Sequence, residues 1–255
     1  MKILINYAAK GTNGANNSPN DGYFRSQKNN SVTGLEVGGF DVCNSYNSHS
    51  LPSDFYLEKH KRHFQYTRGA GYWIWKPYIV IDALSKMKDG DFLMYSDSGC
   101  YFIDKIDPVI DLIDSSKTGV AACDMPHIEK YWTKRDCFTQ MNCDEPEFTD
   151  SKQISSSFFF CRKSEFAVHI ANEWYRWMSH FNLVTDEFVE PSKFPCYPEF
   201  IEHRHDQSIL SLVCKLNGVE PIPDIAAFNG DGHPIIEDPS TRRISQIIYH
   251  SRSRD

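Results

Sequence analysis

The stretch from Arg68 to Gly99 constrains this chain more than any other. It reads Arg-Gly-Ala-Gly-Tyr-Trp-Ile-Trp-Lys-Pro, then an apolar segment, then Asp-Gly-Asp-Phe-Leu-Met-Tyr-Ser-Asp-Ser-Gly. Gly69 and Gly71 flank Ala70 and allow a turn with φ > 0 or a close backbone approach. Pro77 suits a first helical turn, and Ile79, Val80, Ala83, Leu84 and Met87 form an apolar face that stops at Gly90. Asp91 to Tyr95 then reads as a buried strand. That strand delivers Ser96, Asp97 and Ser98 to its carboxyl end, where open α/β sheets hold their ligands. A carboxylate at that place, followed by Ser-Gly, is of the kind that ligates hard cations.

The 255 residues suffice for one large α/β domain. The net charge of −7 argues against a nucleic-acid binder, whose affinity rests on neutralising phosphates. None of the eight cysteines forms a Cys-x-x-Cys pair, so zinc is not indicated, and Cys123, Cys161 and Cys214 read as small buried hydrophobes. The chain opens on Lys-Ile-Leu-Ile-Asn-Tyr without a signal-peptide pattern, and no apolar run is long enough for a bilayer. A cytoplasmic location is the expectation.

Strands are expected at Lys2–Ala9, Phe40–Tyr46, Gly119–Cys123, Ile154–Cys161 and Val219–Ile225. Lys10 to Asn30, rich in Gly, Asn and Ser, reads as a long loop. Asp54 to Phe64 is a helix candidate whose His60-Lys61-Arg62-His63 reads as a solvated face. Ile106–Ile113 has helical spacing. Asp124 to Ser151 reads as an irregular site region with a short helix around Trp132 to Met141. Glu165 to Phe181 is amphipathic, with Phe166, Ile170, Trp174, Trp177, Met178 and Phe181 on one face. Thr185 to Ile201 carries three prolines and reads as a loop. Asp206 opens an apolar helix that Asn217-Gly218 closes. The tail from Phe228 reads as irregular. Short strands alternating with helices predict a mostly parallel α/β sheet in a single domain over 1–255.

No Walker A sequence, no complete dinucleotide fingerprint and no Gly-x-Ser-x-Gly elbow occurs. Three segments carry a more specific resemblance: Arg68-Gly-Ala-Gly-Tyr-Trp-Ile-Trp-Lys-Pro-Tyr, Gly90-Asp-Phe-Leu-Met-Tyr-Ser-Asp-Ser-Gly-Cys, and His205-Asp-Gln-Ser. Together they resemble the GT-A-type nucleotide-sugar glycosyltransferases of bacterial and large-virus capsule or surface-polysaccharide assembly. The resemblance implies a three-layer α/β/α sandwich, with residues 1–125 mainly binding the donor and 126–255 mainly forming the acceptor and catalytic side. It implies a UDP- or GDP-sugar donor, a saccharide or lipid-linked saccharide acceptor, with peripheral membrane contact where the acceptor is lipid-linked, and Mn²⁺ or Mg²⁺ at the diphosphate. Gly99 stands where the second Asp of the metal motif is expected.

Carried over residue by residue, the resemblance sets Tyr7, Ala8, Arg68, Gly71, Trp75, Lys76, Ser96, Asp97 and Arg252 against the donor. It sets Asp97 and His250 at the metal, with His233 competing for that place, and Asp206 and Gln207 at the reacting sugar. Asp206 would act as a general base, as a clamp on a donor hydroxyl, or as the cap of its helix. Lys134, Arg135 and Gln153 would meet the acceptor, in a loop with Tyr131, Thr133 and Asp136. Arg25 and Ser31 are further donor candidates, and His203 and His205 flank Asp206. A sugar nucleotidyltransferase is the nearest alternative, but no Gly-rich basic phosphate loop follows the first strand. A non-catalytic carbohydrate-binding protein is the other, and it leaves Asp97 and Asp206 without a purpose.

Overall fold

A computed structural model describes residues 1–9, 22–187, 194–228 and 246–250. Its main sheet has five strands: β1 (Lys2–Ala8), β2 (Val42–Asn47), β3 (Phe92–Ser96), β5 (Val120–Ala121) and β8 (Phe158–Arg162). Their order is β2-β1-β3-β8-β5. β2, β1 and β3 run parallel; β8 enters antiparallel to β3, and β5 antiparallel to β8. Alternation along β1 and β3 divides the core into two layers. Ile3, Ile5, Tyr7, Leu93 and Tyr95 face one cluster, and Leu4, Phe92 and Met94 face the other.

The first face is covered by α2 (Trp75–Ser85), α4 (Glu165–Met178) and α5 (Asp206–Leu216); the second by α1 (Gly22–Glu36) and α3 (Asp107–Ser115). This is the α/β/α sandwich expected. Ile79, Val80, Ala83 and Leu84 of α2 are buried as their spacing predicted, and so are Ile170, Trp174 and Met178 of α4. Smaller pairings complete the chain: β6 (Asp124–Ile128) with β7 (Lys152–Ile154), and a three-stranded sheet of β4 (Cys100–Phe102), β10 (Ile248–His250) and β9 (Ala226–Phe228). None of the eight cysteines is in a disulfide.

Several expectations are corrected. Residues 22–30 are helical, not loop, because α1 docks through polar groups. Asn30 Nδ2 donates to Ser96 Oγ and the Cys100 carbonyl, both at 3.0 Å, and Gln27 donates to the Tyr46 carbonyl at 2.7 Å. Gly34 sets the approach: a Cβ there would lie 2.4 Å from Leu4 Cδ2. The run Ile154–Cys161 is two strands, split at Ser155–Ser157. Val219–Ile225 contributes only a bridge from Ile222 to Cys123, and the tail supplies β10.

The expected helix over Asp54–Phe64 is present only in part, as a π-helical stretch at Phe55–Lys59 and a 3₁₀ turn at His63–Gln65. Within the basic segment Lys61 and Arg62 are exposed, but His60 and His63 are buried among aromatic rings. His60 Nε2 meets the Tyr175 hydroxyl at 2.8 Å, and His63 Nε2 the Met178 carbonyl at 3.0 Å. Burial, with nearby positive charge, pushes both imidazoles down to about 4. Because the folded value lies below that of the unfolded chain (about 6.5), their stabilisation is complete above that pH and is lost as pH falls towards 4. Urea unfolding between pH 7 and pH 4.5 should therefore show a loss of a few kcal/mol from this pair, about 1.4 kcal/mol for each pKa unit. Joint His60→Phe and His63→Leu substitution should flatten that slope; an unchanged slope would rule the pair out as its source.

Candidate active site

The segment before α2 takes an uncommon backbone path. Gly69, Ala70, Gly71, Tyr72 and Trp73 all have positive φ, between +49° and +94°. Left-handed backbone disfavours L-residues by about 1–2 kcal/mol each, so Ala70, Tyr72 and Trp73 hold it only because their surroundings require it. The turn's own bonds help: Trp73 N donates to the Gly69 carbonyl at 3.1 Å, and Trp75 Nε1 to the same oxygen at 2.9 Å. The turn swings the chain into α2 with Lys76 pointing inward.

Lys76 is the centre of the site. Its side chain is only 3% exposed, and Nζ lies 2.8 Å from Asp206 Oδ2 and 3.1 Å from Asp97 Oδ1. Nζ also donates to the Ser156 carbonyl at 3.2 Å. Three separated parts of the chain thus converge on one ammonium: the strand end after β3, the first residue of α5, and the break between β7 and β8. Burial alone would push this ammonium down. The charges of Asp206 and Asp97, with their hydrogen bonds, outweigh that and hold it above the ordinary lysine value.

The two carboxylates are placed differently. Asp97 is 37% exposed, with Oδ1 accepting from the Tyr95 hydroxyl at 2.6 Å. Burial and the neighbouring Asp97 raise the Tyr95 phenol well above its usual value, so it remains a donor. Asp206 is 5% exposed, and its Oδ2 also accepts from Ser156 Oγ at 2.7 Å. Asp97 Oδ2 and Asp206 Oδ1 accept no hydrogen bond from the described residues. Each acid is therefore gripped by one oxygen and offers the other. Ser98 Oγ donates to the Tyr7 carbonyl at 2.6 Å, tying the loop after Asp97 to the end of β1.

Of the residues singled out in the sequence, Lys76, Asp97 and Asp206 are in direct contact. Gln207 and Gln153 are joined, Nε2 to Oε1, at 2.7 Å beside them. Gln153 is fully buried and also donates to Thr133 Oγ1. Ala8 ends β1. The rings of Tyr7 and Trp75 stack on each other, with centroids 3.8 Å apart, and both are buried. Ser96 bonds Asn30 on the opposite layer, and Ser31 bonds Asn6 and Ser45 there. Arg68 pairs with Asp186 at 3.1 Å, and Gly71 packs on Phe64 within the turn. Arg135 pairs with Asp144 and lies over the rings of Phe194 and Tyr197.

Lys134 is a correction. It is buried, and its Nζ donates to the carbonyls of Asn182, Thr185 and Glu187, so it clamps backbone rather than facing a groove. His203 and His205 grip the adjoining Leu183 and Val184 carbonyls, both at 2.7 Å. His233 and Arg252 lie outside the described residues. Ser156 and Tyr95 were missed. The Ser155-Ser156-Ser157 run before the Phe-rich strand was the available signal for the first, and nothing pointed to the second.

The described residues do not form a ready-made metal centre: no three His, Cys, Asp or Glu side chains gather around one point. Asp97 Oδ1 is already engaged by Lys76 and Tyr95, and His250 Nδ1 lies 3.1 Å from Cys100 Sγ. Of the two carboxylate oxygens left unengaged, Asp97 Oδ2 belongs to the more exposed acid and is the one a hard cation would reach first. That matches the way Mg²⁺ is commonly taken up, by one or two carboxylates with water and substrate phosphates.

No protein-family model and no curated protein matches the sequence. Solved structures do match the fold. Mouse xyloside xylosyltransferase 1, in its apo form, superimposes with a TM-score of 0.52 at 11% identity, over 99% of this chain and 98% of that one. The galactosyltransferase LgtC, in complex with donor and acceptor sugar analogues, gives 0.50 at 12% identity, over 99% of this chain and 87% of that one. At such identities the likeness is one of architecture, and the architecture is that of the GT-A-type glycosyltransferases.

Proposed function

We propose that this chain transfers a sugar from a nucleoside-diphosphate donor, a UDP- or GDP-sugar, to a saccharide or lipid-linked saccharide acceptor. The observation that carries the reading is the pair Asp97 and Asp206, held on one buried ammonium at the carboxyl edge of a GT-A sheet. Asp97, the more exposed, faces the diphosphate; Asp206, at the start of α5, faces the sugar. Buried at the start of α5 and gripped through Oδ2 alone, Asp206 is suited to accept a hydrogen bond from a sugar hydroxyl or to stabilise positive charge at the anomeric carbon.

Formal charge supports a divalent cation entering with the donor. One ammonium shared by two carboxylates leaves one negative charge, so Lys76 cannot by itself neutralise a diphosphate. Mn²⁺ or Mg²⁺ on Asp97 Oδ2 would supply the Lewis acid that stabilises the leaving diphosphate. No described helix is long and apolar enough to cross a membrane, so a lipid-linked acceptor would be met at the membrane surface.

Melting temperatures measured with UDP, GDP, CMP and dTDP, each with Mn²⁺, Mg²⁺ or EDTA, test the reading. At a hundred times Kd, one nucleoside diphosphate should raise the midpoint by about 5 °C or more in the presence of the cation. Asp97→Ala should abolish that rise. The absence of a shift with every nucleotide would refute a donor site.

A further inference from the structure

The resemblance set Lys76 against the donor, but the geometry points elsewhere. Its Nζ is enclosed by Asp97, Asp206 and Ser156, with the Tyr95 ring centroid 5.3 Å away. It reaches the donor only through the two acids. We propose that Lys76 is a positioning residue whose single ammonium, shared between Asp97 and Asp206, makes the diphosphate end and the sugar end of the site one electrostatic unit.

Neither acid has another cation among the described residues. When positive charge arrives at Asp97 Oδ2, that carboxylate's hold on Lys76 weakens and the ammonium is released towards Asp206. Without Lys76, the two carboxylates would stand close together with no positive charge between them and would repel each other. The other titratable groups packed here are Tyr95, which donates to Asp97, and His205, which precedes Asp206 and contacts Asp186 at 3.5 Å. Neither supplies a permanent positive charge. The ion pairs alone specify this sharing; its role in transfer rests on the donor reading above.

A cycle of melting temperatures on the nucleotide-free protein tests the sharing. With Lys76 present, Asp97→Asn and Asp206→Asn should each be mild, because the other acid still balances the ammonium. Together they should lower the midpoint by more than their sum, since a buried ammonium then has no anion. In the K76M background the sign should reverse, with each Asp→Asn substitution raising the midpoint. Additivity in both backgrounds would overturn the proposal. If K76M alone fails to fold, recovery in K76M/D206N supports it, and the cycle with Lys76 present still decides.

Calorimetry with MnCl2 and UDP, or GDP if that is the nucleotide that binds, adds a readout that loss of packing would not move. At one pH, 8, the affinity of K76M should be about tenfold lower than that of the wild type, because Asp97 is repelled by Asp206 with no ammonium between them, and K76M/D206N and K76R should each recover most of the loss. Equal losses in K76M and K76M/D206N would overturn the proposal. Failure of the wild type to bind either nucleotide would instead defeat the donor reading, while the melting cycle still rules on Lys76.

Discussion

Asp206→Asn is expected to leave the fold intact and to lower sugar transfer by about a hundredfold or more, the usual effect of removing one electrostatic stabiliser from a reacting centre. Asparagine fills the same volume, its Oδ1 can still accept from Ser156 Oγ, and Lys76 keeps Asp97 as its counter-ion. What disappears is the negative charge beside the sugar. Glycosyl transfer builds positive charge at the anomeric carbon, so the loss should fall on turnover rather than on nucleotide binding. Turnover of the nucleotide sugar identified by the melting screen, measured beside the melting temperature of the variant, separates the two effects. An Asp206→Asn enzyme retaining half its turnover would remove Asp206 from the reaction.

Gly69→Ala is expected to be the most damaging small substitution in the chain, at about 3 kcal/mol or more. Its Cβ would lie 2.3 to 2.6 Å from three ring atoms of Trp73, and φ at this position is +57°. The indole cannot retreat freely, because it stacks on His205 with centroids 5.3 Å apart. His205 itself has φ +49° and precedes Asp206, so the disturbance would reach the carboxylate as well as the turn. Ala70→Gly is the control. It removes a Cβ from the same left-handed run, and should stabilise by about 1 kcal/mol. Urea unfolding of both variants measures the contrast. If both destabilise, or if Gly69→Ala is neutral, the left-handed path does not describe this segment.

Much of the architecture was legible where burial is apolar. β1, β3, α2, α4 and α5 declare themselves by the spacing of Ile, Leu, Val and Phe, and the periods match the observed faces. α1 escaped because its buried side carries Gln27, Asn30 and Gly34, so no apolar stripe marks it. β10 escaped because three residues are too few to show a period. Within the candidate site, Asp97 was marked by its place at a strand end, and Asp206 by its place at a helix start together with the resemblance of His205-Asp-Gln-Ser. The direction of Lys76 was not. It depends on five successive left-handed residues, and the two glycines announce only part of that turn. Lys134 misled for a related reason: a lysine in a polar loop looks solvated until its carbonyl partners, some fifty residues away in sequence, are known.

The small sheet bears on how the molecule assembles. β10 is its central strand, lying between β4, made near residue 100, and β9, made near residue 226. During synthesis β4 therefore emerges long before the strand that satisfies its edge, and so do the first strands of the main sheet before β8 arrives. Contacts so distant in sequence form slowly, and unpaired edges exposed meanwhile invite association between chains. Production at high concentration should favour such off-pathway pairing, and slower synthesis or a bound chaperone should relieve it.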